Sequence, residues 1–259
     1  MRRALDNDNL SQGQAAKLFG TVNFLATGIF GKVGRPGVNA LTDRANNASA
    51  NRLDEGLRAS LRLISEIISM QPRRLFYLGS PHFSRVVVAS DAAYENGDGS
   101  GGFLVILHPN SQNESRLACV ADLPPELYEI WGHQETYIAQ LELYMVLAGL
   151  ARWAEEFREK RGIWFIDNIA ALMALVRGRS RSQSLDNLAR AIHAAMFALK
   201  AWIYFEWVPS DSNWSDGISR DGARDGWYRR NRFKLRNCVC MPKLLQLPTT
   251  AMVRVFEML

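Results

Sequence analysis

The stretch Arg85-Val86-Val87-Val88-Ala89-Ser90-Asp91 is followed by a glycine-rich segment at 95–102 and then by Phe103-Leu104-Val105-Ile106-Leu107. The β-branched run and the second apolar run each predict a strand, and the glycines between them predict a turn. We therefore expect a β-hairpin, followed by a third strand near residues 116–120.

Downstream of the hairpin, helical and strand patterns alternate. Hydrophobic periodicity predicts helices at 136–158, 169–177 and 184–200, a buried strand at 162–166 and a last strand at 202–208. Hairpin strands followed by alternating helices and strands are typical of an α/β fold. We expect a mixed five-stranded sheet with helices on both faces.

Upstream of the hairpin the periodicity is helical. Apolar residues at helical spacing predict helices over 11–31, 38–45 and 53–70, with a glycine-rich break at 31–37. Proline and glycine at 72–74 and 79–81 mark a boundary. The expected division is a helical segment at 1–80, a main domain at 81–222 and a basic C-terminal extension at 223–259.

Charge is unevenly distributed along the chain. Residues 1–80 carry 11 Lys/Arg and 6 Asp/Glu, residues 81–220 carry 12 and 17, and residues 221–259 carry 8 and 3. Basic flanks suit a polyanion and an acidic middle suits metal ions, so the pattern favours nucleic acid with a divalent cation. Random clustering of surface charge is the alternative interpretation.

Composition excludes several classes of protein. No apolar run is long enough to span a bilayer, and a polar segment follows the first residues, which argues against a secretory signal. The three cysteines are too few for a disulfide framework and form no zinc pattern with the histidines. We expect an intracellular protein, cytoplasmic or nuclear, without a membrane partner.

Three acidic residues stand alone in apolar surroundings: Asp91 after the first strand, Glu142 inside a helix, and Asp167 after a buried strand. A buried carboxylate is normally paired, protonated or bound to metal. The carboxyl ends of neighbouring parallel strands also meet at one edge of a sheet. We expect a metal site there, with Asp216 as the fourth acid and Asp211 as its competitor. Taken singly, each acid is equally typical of a turn, a helix cap or a solvated helix face.

Together these residues resemble the type I ribonuclease H domain of retroelement reverse transcriptases, of the LTR or DIRS-like kind. The resemblance covers about residues 84–220. It rests on Ser90-Asp91-Ala92, on Gln140-Leu141-Glu142-Leu143, on residues 165–172, and on residues 208–220 with Asn213-Trp214-Ser215-Asp216. Residues 12–45 are similar to the helical thumb or connection segment that follows the palm in such enzymes.

The resemblance implies an endoribonuclease that hydrolyses the RNA strand of RNA–DNA hybrids by two-metal chemistry. It implies that Asp91, Glu142, Asp167 and Asp216 hold two Mg²⁺ ions about 4 Å apart, with Mn²⁺ as an alternative ion. The residues expected to contact nucleic acid are Asn168, Arg177, Arg179, Arg181 and Asn213. For the arginines, a solvated loop is the alternative.

Two features depart from the family. The loop at 209–213 lacks the histidine that many members place before the last acid, and no Tyr-x-Asp-Asp polymerase motif occurs in the 259 residues. A reverse transcriptase palm acting in trans is therefore a candidate partner. The alternative functions are an inactive nucleic-acid-binding module and a recombinase or transposase on the same fold. Residues 227–234, which mix aromatic rings with cations, fit either phosphate contacts or packing on the sheet edge.

Overall fold

The computed structural model describes residues 1–28, 35–47, 50–70, 85–238 and 240–259. The chain divides into two compact units, Met1–Ser80 and Pro81–Leu259. Residues 31–34 of the expected helix break and the boundary segments at 72–74 and 79–81 lie outside the described residues. In the part of the chain that is described, no helix has the length and apolarity to cross a membrane.

The first unit is helical, as its periodicity predicted. Its helices are α1 (Arg2–Asp6), α2 (Gln12–Gly28), α3 (Arg35–Asn47) and α4 (Glu55–Ser69). The Asp54 carboxylate caps α4 by accepting a hydrogen bond from the Leu57 N–H at 2.7 Å. Leu41, Leu57 and Leu61 lie in the middle of its aliphatic core. Among the helices described in this unit, α1 alone was not predicted, because five residues are too few to show a helical period.

The second unit is built on a mixed sheet. Its strands are β1 (Arg85–Glu95), β2 (Asp98–Leu107), β3 (Ser115–Leu123), β4 (Arg161–Ile166), β5 (Trp202–Trp207) and β6 (Lys234–Asn237). They are arranged in the order β5-β4-β1-β2-β3-β6. The first three strands are antiparallel, whereas β4 runs parallel to both β1 and β5. The predicted α/β class, a mixed sheet preceded by a small helical unit, is confirmed.

The sheet formed by the described residues has six strands, one more than the five expected. The additional strand, β6, pairs in parallel with β3. Three of its four residues, Lys234, Arg236 and Asn237, are polar, so it lacks the apolar alternation that predicts a strand. Its conformation depends on pairing with β3, which the sequence pattern does not record. Through β6, the segment 223–259 contributes to the second unit.

Helices cover both faces of this sheet, as expected. They are α5 (Glu126–Trp131), α6 (Ile138–Arg152), α7 (Ala154–Phe157), α8 (Ile169–Arg177), α9 (Gln183–Ala198), α10 (Asp216–Asp221), α11 (Trp227–Arg230) and α12 (Thr249–Met258). On β2, Phe103 packs against Trp153 at the end of α6, with ring centroids 4.8 Å apart. The next residue, Leu104, packs against Ile218 of α10 on the opposite face.

Helix α10 lies unusually close to β2. A Cβ atom on Gly102 would lie 2.7 Å from the Ile218 Cγ2 atom and 3.0 Å from the Ser219 nitrogen. The absence of a side chain at Gly102 therefore lets the α10 backbone rest directly on the sheet. This contact brings α10 beside the central strand β1.

Candidate active site

Three carboxylates from distant parts of the chain converge on one point of the second unit. One oxygen from each of Asp91, Glu142 and Asp167 lies within 4.8 Å of the others. Strand β1 continues past Asp91 to Glu95, but its pairing with β4 stops at Ala89. Asp91 is thus placed where β4 ends, level with Asp167, as parallel neighbouring strands require.

Glu142 is the most deeply enclosed of the three. Its side chain emerges from the middle of α6 and the residue is only 3% exposed. The Asn168 N–H donates a hydrogen bond to its Oε2 atom at 3.3 Å. Burial, followed by the negative charges of Asp167 and Asp91, raises the pKa of Glu142 to about 9. Without a cation, this carboxyl group stays protonated at neutral pH.

Asp91 is buried against α10. The Ser219 hydroxyl donates a hydrogen bond to its Oδ2 atom. Burial raises the pKa of Asp91 to about 6, and the charges of Asp167 and Asp216 act in the same direction, while the Ser219 hydrogen bond opposes them. Asp91 therefore ionises more easily than Glu142, in part because Ser219 stabilises its charged form.

Asp167 leaves one oxygen without a donor. Its Oδ1 atom is buried and has no hydrogen-bond partner among the described residues. A buried acceptor without a donor is costly, and here it faces two further carboxyl groups. An all-oxygen set of this kind matches what Mg²⁺ and Mn²⁺ prefer, so the three side chains fit a hard divalent cation.

Asp216 borders the three acids without joining them. It is the first residue of α10, and its Oδ1 atom accepts a hydrogen bond from the Arg220 Nε at 2.9 Å. Its charge nevertheless raises the pKa of Asp91, so the two carboxylates are neighbours. Asp211 is exposed in a short 3₁₀ helix, Ser210–Ser212. Which of the two acts as the fourth ligand stays a prediction.

The residues expected to contact nucleic acid fall into different settings. Asn168 uses its Oδ1 atom to cap α8, accepting from the Ala171 N–H at 3.0 Å. Asn213 is buried, and its amide is already used. Its Nδ2 donates to the Ser90 carbonyl at 3.2 Å, and its Oδ1 accepts from the Ser215 N–H at 3.2 Å. The structure therefore gives Asn213 a part in holding the loop against β1.

The three arginines of the same prediction lie around the far end of α8. Arg177, Arg179 and Arg181 are exposed. Helix α8 begins next to Asp167 and is nine residues long, which puts these side chains roughly 13 Å from the acids along the helix axis. At that distance they do not reach the acids themselves, and their contact with nucleic acid stays a prediction.

Sequence analysis did not single out Ser219 or Arg220. Both lie in the segment that carries the resemblance, three and four positions after Asp216. That spacing puts side chains on one face of a helix, and it was the signal available. This spacing alone did not predict a helix there, because a six-residue helix such as α10 shows no hydrophobic period.

Neither a protein-family model nor a curated protein sequence matches this chain. Among solved structures, it is similar to the N-terminal RNase H domain of Rv2228c from Mycobacterium tuberculosis, determined as a fusion with maltose binding protein. That match has 18% identity and a TM-score of 0.36, covering 57% of this chain and 99% of the other. RNase H1 from the halophilic archaeon Halobacterium salinarum NRC-1 matches with 15% identity and a TM-score of 0.37, covering 54% and 99%. Scores this low carry no functional weight, so the chemistry must be argued from this chain's own side chains.

Proposed function

We propose that this protein is a metal-dependent endonuclease that hydrolyses the RNA strand of RNA–DNA hybrids. The observation that carries the proposal is the convergence of Asp91, Glu142 and Asp167 within 4.8 Å. Carboxylates this close cannot all be ionised unless positive charge is bound between them. We assign two Mg²⁺ ions to these side chains, with Mn²⁺ as the alternative. Asp216 is our fourth acid, since its charge acts on Asp91, whereas Asp211 is exposed.

The protein itself positions these acids. When bound, divalent cations supply Lewis acidity and neutralise negative charge on a phosphodiester. The Ser219 hydroxyl holds the carboxylate of Asp91, and the backbone N–H of Asn168 holds that of Glu142. Because these partners belong to packed helices and strands, the acids are oriented before substrate arrives.

The substrate class, an RNA–DNA hybrid, is the one that the sequence resemblance implies. A hybrid duplex is bound through its shape, sugar hydroxyls and phosphates, so little sequence preference is expected. The Nδ2 group of Asn168 and the arginines at 177–181 are our candidates for these contacts. The sequence resemblance further supports a retroelement reverse transcriptase as the source. On this hypothesis the thumb-like segment is residues 1–80, the nuclease is residues 81–222 and an extension is residues 223–259. A palm domain on another chain would act in trans.

The test is cleavage of a 5′-labelled RNA–DNA hybrid by the full chain, with Mg²⁺, with Mn²⁺ and with EDTA. Asp167→Asn and Glu142→Gln should each reduce cleavage by roughly 100-fold or more, because a lost metal ligand removes several kcal/mol of transition-state stabilisation. Glu126→Gln, the same chemical change at an exposed position of α5, is the matched control and should leave the rate unchanged.

Two results would contradict the proposal. Wild-type protein that binds the hybrid but cuts it with neither metal would be a binding module. Cutting and joining of DNA, with the hybrid left intact, would indicate a recombinase. Binding measured alongside cleavage separates these outcomes from a loss of folding in the variants.

A further inference from the structure

A second charged site lies away from the acids, on the same face of the sheet as α10. It is a cavity of about 460 Å³ between the start of β3 and the turn that joins α11 to β6. We call it the basic pocket, and the lining residues used below are Glu114, Arg116, Arg230, Asn231, Arg232 and Lys234. It holds four cations and one carboxylate.

The charges of the basic pocket are not balanced within the protein. Arg116 is held by Glu114, with Nε to Oε1 at 2.8 Å, and by the Asn231 carbonyl at 3.1 Å. The other three cations, Arg230, Arg232 and Lys234, are exposed and form no ion pair with any described residue. Like charges held together on one turn repel each other, and a polyanion relieves that repulsion.

A row of aromatic rings connects the acids to the basic pocket. Phe165 lies two residues before Asp167, on the same face of the sheet. From Phe165 the row passes to Trp214, Trp227 and Phe233, with successive ring centroids 6.2, 6.3 and 6.0 Å apart. The Arg116 guanidinium lies 5.9 Å from the Phe233 centroid, at the rim of the pocket.

The dimensions and chemistry of this surface fit a nucleic-acid strand. The row spans at most about 19 Å, the length of about five nucleotides at roughly 3.4 Å per nucleotide. Trp214 is 41% exposed, so its ring is available for stacking against a sugar or a base. Arginine forks match phosphate oxygens better than point charges do, and two of the three unpaired cations are arginines.

We infer that the basic pocket is a second nucleic-acid contact, which binds backbone phosphates of a strand that runs from the acids along the aromatic row. The substrate class rests on the proposed function, but the contact itself does not require cleavage. It also gives a role to the 223–237 segment, which supplies three of the four cations.

The test is the salt dependence of binding. A fluorescent 20-base-pair RNA–DNA hybrid is titrated with the full chain in EDTA, over a series of NaCl concentrations. The plot of log K against log salt has a negative slope, and each lost phosphate contact should reduce the magnitude of that slope by about 0.9. The double variant Arg232→Ala/Lys234→Ala should therefore lower it by about 2. Lys243→Ala/Arg254→Ala removes the same two residue types at exposed positions outside the pocket, and should leave it unchanged.

Single variants separate the loss of a phosphate contact from loss of folding and from loss of ring stacking. Arg232 has a φ of 60°, a left-handed conformation that glycine adopts without strain. Arg232→Gly should therefore keep the fold and still reduce the magnitude of the slope by about 1. Trp214→Ala should weaken binding several-fold with the slope unchanged, whereas Tyr204→Ala, which removes an exposed ring on β5, should have no effect.

The outcomes separate this inference from the proposed function. Equal salt slopes for the two double variants would overturn the pocket assignment even if the wild-type protein cleaves the hybrid. A slope of smaller magnitude for Arg232→Ala/Lys234→Ala, in a protein that does not cleave, would support the pocket and reject the nuclease. Polyglutamate serves as a second probe. If Arg232→Ala/Lys234→Ala loses polyglutamate binding but binds the hybrid as the wild-type protein does, the pocket binds an acidic protein segment and the inference is overturned.

Discussion

The hydroxyl of Ser219 donates a hydrogen bond to the carboxylate of Asp91, although 128 positions separate the two residues in the sequence. The carbonyl oxygen of Ser219 in turn accepts a hydrogen bond from the Ser100 hydroxyl at 2.7 Å. One residue of α10 thus contacts both β1 and β2. The orientation and the charge of Asp91 therefore depend on how α10 packs on the sheet.

Removing this hydroxyl should shift the pH dependence of cleavage. The Ser219 hydrogen bond lowers the pKa of Asp91, so Ser219→Ala should raise that pKa further above about 6. At subsaturating Mg²⁺, where protons compete with the metal for Asp91, we expect the acidic limb of the rate profile to move to higher pH, with most activity recovered at pH 8.5. Ser210→Ala, at an exposed site, is the control. A loss that is equal at every pH would show that Ser219 acts only through packing.

The cleavage rates of Asp216 and Asp211 variants should show which of these residues is the fourth acid. Asp216 acts electrostatically on Asp91, while Asp211 is exposed on a short 3₁₀ helix. Asp216→Asn should reduce hybrid cleavage by roughly 10-fold or more, about 1.4 kcal/mol of barrier. Asp211→Asn should stay within about 3-fold of wild type, less than 1 kcal/mol. Steady-state rates at saturating Mg²⁺ decide between them, and the reverse ranking would assign the role to Asp211.

The metal-free protein should lose stability as the pH rises. Burial raises the pKa of Glu142 to about 9, well above its unfolded value of 4.5. Between these values the native state keeps a proton that the unfolded state has released, so the free energy of unfolding falls with pH. The expected slope is about 1 kcal/mol per pH unit for this group. Urea unfolding in EDTA from pH 5 to pH 9 measures it. Glu142→Gln should make the free energy of unfolding depend less on pH. An equally steep dependence in this variant would show that Glu142 does not cause the loss of stability.

Divalent cations should reverse that loss. Mg²⁺ or Mn²⁺ that binds the ionised acids stabilises the native state by mass action, and protons compete for the same oxygens. We assume a metal concentration of about 10 mM, roughly a hundredfold above the Kd. Adding this metal should raise the Tm by several degrees at pH 8 and by little at pH 5. Asp167→Asn should abolish the increase at pH 8. An increase that is the same in this variant would place the metal elsewhere.

Two neighbouring glycines of β2 should respond differently to substitution. A Cβ on Gly102 would meet the backbone of α10 at 3.0 Å, while the three atoms nearest to a Cβ on Gly101 all belong to the flexible side chain of Met145. We expect Gly102→Ala to destabilise the protein by about 1–3 kcal/mol and to lower cleavage, because α10 must move with Ser219. Gly101→Ala should be milder in both respects. Urea unfolding and rates at pH 8 test this, and similar effects would mean that α10 is not held by this contact.

Local patterns in the sequence carry much of the fold and part of the site. The hairpin, the alternating helices and strands and the first helical unit follow from hydrophobic periods of two and 3.6 residues, which short segments express without help from the rest of the chain. Asp91, Glu142 and Asp167 could be predicted because a charge inside an apolar run is costly unless something binds it. Their convergence was a hypothesis that parallel pairing of β1 and β4 made reasonable.

Other features depend on contacts between residues far apart in the chain. The polar strand β6 forms only because β3 offers it an edge, and burial of Asn213 depends on the carbonyl of Ser90. The hydrogen bond from Ser219 to Asp91 depends on where α10 packs on the sheet. The hydrophobic pattern shows which side chains avoid water, so the sequence by itself determined the longer helices and strands and the three acids isolated in apolar surroundings. The partners of polar groups are set by distance and direction in three dimensions, and only the tertiary structure decided those.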